Sequence, residues 1–126
     1  MKPYKDTAGV WHITTAGRDR PASEVRLAIC LRDLEPFTIN GGNFLGSAPI
    51  ARPVTEGLAG GEYLASLANA SYVVYSFDIP IAWHVPAVGD MPYYWAVPAI
   101  DHRSLPVWRH QRMIINTLSA DLVKVR

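Results

Sequence analysis

The sequence predicts an α+β fold: a small antiparallel sheet, built from a β-meander and an N-terminal hairpin, with two to three helices packed on one face. Three observations carry this. Runs rich in β-branched and aromatic residues stand at Ser71–Phe77, Ile81–Val85 and Tyr93–Val97, and their short connections favour antiparallel neighbours. Two short apolar runs, Phe37–Ile39 and Phe44–Leu45, flank Asn40-Gly41-Gly42-Asn43, and Asn-Gly supplies the positive φ angles of a tight hairpin turn. Near the C-terminus, Val107, Gln111, Ile114 and Leu118 recur at i, i+4, i+7 and i+11, the stripe of a helix with one buried side.

In chain order, residues 1–9 are charged, hold Pro3 and Gly9, and read as a mobile tail on a single domain spanning 1–126. Val10–Thr15 is a short strand, broken by Gly17 to Pro21. Ala22–Leu34 has two readings. Val25, Leu27, Ile29 and Leu31 alternate like a strand, yet Leu27, Cys30, Leu31 and Leu34 fit a helical face. Asp19 or Ser23 as a cap, Pro36 as a stop, and the Ala, Leu, Arg and Glu content favour the helix. The hairpin over 37–45 follows, then a Pro- and Gly-rich loop over 46–61 and a short helix over Glu62–Asn69. The meander comes next, with Asp78-Ile79-Pro80 turning or bulging its first strand and Pro80 and Pro92 at strand ends. The last helix starts with Ser104 as its cap and Pro106 in its first turn. Leu122–Arg126 is a short strand or a tail.

Composition narrows the function classes. The chain has 126 residues, 49% of them apolar and 18% charged, which is globular rather than disordered. A lone cysteine, Cys30, excludes an internal disulfide and a multi-cysteine zinc site, and its neighbours Ile29 and Leu31 suggest a buried, inert thiol. The longest uncharged apolar stretch with strand character, Tyr72–Phe77, is too short to cross a bilayer, and no apolar run follows the first lysines, so a cytoplasmic protein without membrane contact is expected. Net charge is only +1 but unevenly spread. Residues 36–101 set Arg52 against Glu56, Glu62, Asp78, Asp90 and Asp101; residues 102–126 set Arg103, Arg109, Arg112, Lys124 and Arg126 against Asp121. Such a basic segment is either a footprint for a polyanion or a partner for the acidic middle, within one chain or across a homodimer.

Catalytic and metal patterns are weak. None of His12, His84, His102 and His110 forms a helical His-x-x-x-His pair or stands at a metal-motif spacing from a carboxylate, so no metal and no cofactor is expected. Asp101-His102-Arg103-Ser104 is better read as helix-start chemistry than as a catalytic set, because a nucleophile needs a base and an orienting group converging in space. Gly41 to Gly46 lacks the Gly-Lys-Ser/Thr ending of a phosphate-binding loop. Gln111 is the sharper signal: it sits on the apolar stripe, so its amide must find backbone partners and act as a latch, or line a pocket with Arg109 and His110. One of Tyr93 and Tyr94 must face outward, and Trp108 lies among arginines. Tyr93, Tyr94, Arg103, Trp108, Arg109, His110 and Arg112 are therefore the candidate binding residues.

From Tyr72 onward the chain resembles a family of small proteins of actinobacteria and their tailed phages whose activity is unassigned. Tyr72-Val73-Val74-Tyr75-Ser76-Phe77, Ile79-Pro80-Ile81-Ala82-Trp83-His84, Trp95-Ala96-Val97-Pro98 and Arg109-His110-Gln111 follow its order and spacing, and Gly41-Gly42-Asn43-Phe44-Leu45-Gly46 resembles its upstream element. The likeness covers residues 37–111. Ile79 replaces the usual threonine, and Arg103 to Trp108 replaces a serine/threonine-rich run, so hydroxyl chemistry borne by that run is in doubt here. The resemblance implies a phage or prophage accessory protein. It also marks Trp83, His110 and Gln111 as recurrent positions, with Trp83 and Gln111 as a structural latch. The expected function is a non-enzymatic module engaging a host or phage protein. The alternatives are a nucleic-acid-binding protein using the basic C-terminal helix, and a small hydrolase or nuclease using His84 and His110.

Overall fold

A computed structural model describes residues 2–55, 58, 62–100, 105–119 and 122–124. Its elements are β1 (Tyr4–Lys5), β2 (Trp11–Ile13), α1 (Arg20–Asp33), β3 (Phe37–Ile39), β4 (Phe44–Ser47), α2 (Glu62–Ala68), β5 (Tyr72–Ser76), β6 (Ile79–Val85), β7 (Tyr94–Val97), α3 (Leu105–Thr117) and β8 (Leu122–Lys124). The eight strands form one sheet in chain order. The α+β class stands, but the sheet is larger than expected and mixed: β2 pairs with β3 and β7 with β8 in parallel, and all other neighbours are antiparallel.

The two parallel pairs place the helices. Each is a crossover through a helix, β2–α1–β3 and β7–α3–β8, running in the same direction across the sheet. Crossovers of this kind are right-handed, so α1 and α3 fall on the same face. There Leu27, Cys30 and Leu31 of α1 and Val107 and Ile114 of α3 share a core with Phe37, Phe44, Tyr72, Val74 and Trp95 of the strands. The short α2 covers the opposite face, where Tyr63 packs with Val73, Tyr75, Trp83 and Val85. The third helix is thus not with the other two, because strand residues two apart share a face and β5 buries both its sets.

Local chemistry explains the element ends. Helix α1 begins after Asp19, which makes no side-chain cap bond, with Pro21 in its first turn. It ends on Leu34 in the left-handed region (φ 55°), where the Glu35 N–H reaches the Cys30 carbonyl, just before Pro36. Ser23 therefore lies inside the helix and not at its start. Residues 1–9, expected as a tail, include β1, whose Tyr4 pairs with His12 and stacks on its ring at 4.7 Å. The Asp6 carboxylate holds the following turn, accepting from the Ala8 and Val10 N–H groups and bonding His12 Nε2 at 2.8 Å. The His12 bond, ahead of the backbone bonds, lowers the Asp6 pKa.

The β3–β4 connection is a four-residue loop in which Asn40 and Gly41 take positive φ (53° and 73°). The tight two-residue turn lies elsewhere, at Phe77–Asp78, where both residues also take positive φ (52° and 65°) without a glycine or asparagine. Pro80 sits within β6, where the register shifts opposite Val74/Tyr75, so a bulge accommodates its missing donor. Gly46 is required for space: a Cβ there would overlap the Phe37 ring and the Tyr72 hydroxyl.

Candidate binding groove

The side chains of α3 divide into an inward and an outward set. Inward, Val107, Gln111 and Ile114 are buried, as is Leu118 just beyond the helix. The Gln111 amide donates through Nε2 to the Pro98 carbonyl (2.9 Å) and the Ile81 carbonyl (3.2 Å), tying α3 to the ends of β6 and β7. Trp83 does similar work on the other face, donating from Nε1 to Ser66 Oγ of α2 at 2.9 Å. The hydroxyl of Tyr72 donates to the Glu35 carbonyl, and that of Tyr75 accepts from the Ile50 N–H. Tyr72, Tyr75, Trp83 and Gln111 are therefore buried groups with satisfied polar ends.

His110 is half-buried beside this set. Its ring stacks on Phe44 (4.1 Å) and lies near-parallel to Phe77 (6.2 Å), while Nδ1 meets Ser76 Oγ at 2.7 Å. A serine and a histidine at this distance suggest a nucleophile and its base, but Ser76 has no exposed surface for a substrate to meet. His84, the other histidine of the hydrolase reading, pairs with Tyr72, four residues along β5 from Ser76, or roughly 13 Å away. Its ring lies against Tyr93 and Trp95. The two histidines thus occupy separate environments, and in each burial pushes the imidazole pKa down. Among the described residues, no three His, Cys, Asp or Glu side chains gather as a metal site. Cys30 is fully buried, and burial pushes its thiol up to about 11.

Outward, α3 faces α1 across a groove of about 580 Å³. Arg20, Ser23 and Glu24 line it from the first two turns of α1, and Arg109, Arg112 and Asn116 from α3. Ile13, Leu27 and Met113 give it an apolar stretch. The volume lies within the usual range for small-ligand sites, about 300–1,000 Å³. Arg20 pairs with Glu24 at 3.1 Å, one turn along α1, and Arg112 lies 5.7 Å from the centre of the Trp108 ring. Arg109 makes no ion pair among the described residues, leaving the groove two positive charges in excess. Beneath it, Ser23 is 1% exposed, and its hydroxyl is the one buried side-chain polar atom without a hydrogen-bond partner among the described residues. An orphan of this kind costs about 1–3 kcal/mol.

The candidate binding residues do not form one surface. Arg109 and Arg112 meet in the groove; Trp108 beside them is 38% exposed. Tyr94 turns to the α2 face, its hydroxyl 3.2 Å from Ser66, and the exposed Tyr93 leans on His84. Arg103 and the expected Ser104 cap lie outside the described residues. Sequence reading missed Arg20, Ser23 and Glu24, which belong to a segment far from α3 in the chain and are brought to it by the paired crossovers.

Fold and site together define an open, mixed α+β sheet carrying an arginine-lined groove between two helices of one face. No family model, curated protein or solved structure matches the chain. No helix among the described residues is long and apolar enough to cross a membrane.

Proposed function

We propose that the protein is a small non-enzymatic binding module of a bacterial cytoplasm, in the phage or prophage setting that the resemblance implies. It engages an acidic protein partner through the α1/α3 groove. The observation that carries this reading is the convergence of Arg20, Arg109 and Arg112 on one concavity, with Glu24 as the only lining carboxylate among the described residues. Arginine beside an exposed tryptophan is also the composition of binding hot spots. The serine–histidine pair at Ser76 and His110 favours a structural use, since its hydroxyl is sealed.

A second reading, nucleic-acid binding, has its own observation: Trp108 is partly exposed with a guanidinium over its ring, an arrangement suited to stacking a base. Capture from an actinobacterial lysate separates the two, comparing the native chain with R109E/R112E, each with and without nuclease. A discrete protein retained by the native chain after nuclease, and lost by the double variant, supports the protein partner. Material that disappears with nuclease and weakens steeply with salt supports nucleic acid. Equal capture by both chains removes the groove from either reading.

A further inference from the structure

We propose that the groove recognises a phosphomonoester, seated among Arg20, Arg109 and Arg112 with the Ser23 hydroxyl as its floor donor. This rests on the reading of the groove as a binding site and names the group that it takes. Charge comes first. With Arg20 paired to Glu24, the groove keeps two positive charges. That matches a phosphate monoester, which carries nearly two negative charges at neutral pH, better than a carboxylate with one.

Donor geometry comes second. Guanidinium groups match phosphate oxygens in pairs, and two arginines three residues apart on α3 present theirs from the same side of one helix. Ser23 supplies the third observation. A buried hydroxyl without a partner is uncommon in a folded protein, and this one lies under the groove one turn along α1 from Arg20. The exposed Arg20–Glu24 pair is worth little on the surface, so a phosphate draws Arg20 off Glu24 at small cost. Once there, an oxygen accepts from Ser23 Oγ.

The space beside the charged end also decides something. The groove far exceeds one phosphate, and Ile13, Leu27 and Met113 line part of the remainder. The phosphate is therefore carried on a body with apolar surface. It is either a phosphorylated side chain of a protein partner or a free sugar phosphate, and the recognised group is the same in both.

The test is an amide-resolved NMR titration of the full chain with inorganic phosphate, then O-phosphoserine, then glucose 6-phosphate, against chloride at matched ionic strength. Saturable shifts confined to residues 20–28 and 109–117, absent with chloride, are expected. R109Q and R112Q should each weaken phosphate binding by about tenfold, S23A by several-fold, and R26Q, on α1 but outside the groove, not at all. Stronger binding of phosphoserine than of glucose 6-phosphate assigns the phosphate to a protein; the reverse assigns it to a metabolite. Shifts that chloride reproduces, or affinities unchanged in R109Q and S23A, overturn the proposal. If they do so while lysate capture still depends on Arg109 and Arg112, the acidic-partner reading survives and only the phosphate is lost.

Discussion

The two sides of α3 use polar side chains in opposite ways. On the inward side, Gln111 is 5% exposed and gives its amide to two carbonyls, and His110 meets Ser76. On the outward side, Arg109 has no ion pair among the described residues, and across the groove Ser23 of α1 is buried with no partner. A buried polar group that is satisfied by its own chain needs nothing else, and its removal costs stability. One left unsatisfied costs stability where it stands, and a ligand can offset that cost. The contrast separates the latch on the inward side of α3 from the groove that its outward side shares with α1.

The largest expected effect breaks the satisfied side. G46A forces a methyl into the Phe37 ring and the Tyr72 hydroxyl, and should lower unfolding free energy by about 3 kcal/mol or more in denaturant melts. Q111L strands the buried Ile81 and Pro98 carbonyls and should cost about 2–3 kcal/mol by the same measurement. A cost under about 0.5 kcal/mol for Q111L would mean that the latch is not one. On the other side, R109Q should leave stability within about 0.5 kcal/mol of the native chain while weakening groove binding, read by calorimetry, by about tenfold.

Acid sharpens the contrast further. Burial holds the folded pKa of His84 and His110 below the ordinary value. The unfolded chain therefore takes up protons first as pH falls below about 6.5, and folding stability is lost from there downward. Melting temperature should fall between pH 7 and 5, and less steeply in S76A/H110F. An identical slope would show that His110 contributes nothing.

Much of the fold was legible. Runs of β-branched and aromatic residues with short connections set the meander, and the 3.6-residue stripe set α3, with Gln111 on its apolar side. Strand β1 was not, because two residues carry no period, and the parallel pairing of β8 was not, because three residues do not announce a direction. That gap hid the site. Reading β3 as parallel to β2, and 122–124 as a strand parallel to β7, would have set α3 on the same face as α1. The Phe77–Asp78 turn was equally hidden, since its positive φ angles fall on residues that do not advertise them. The Ser76–His110 pair joins residues 34 apart, a separation that no motif encodes.

The smallest effect is the most pointed. S23A removes an orphan hydroxyl and places a better helix former inside α1, so the variant should be more stable by about 0.5–1.5 kcal/mol. Thermal melts of the native chain and S23A, each with and without inorganic phosphate, measure both halves of the contrast at once. The native chain should gain melting temperature with phosphate, as any ligand of the folded state requires. S23A should start higher and gain less. A variant that starts lower, or gains as much as the native chain, would show that Ser23 belongs to the packing of α1 and not to a binding site.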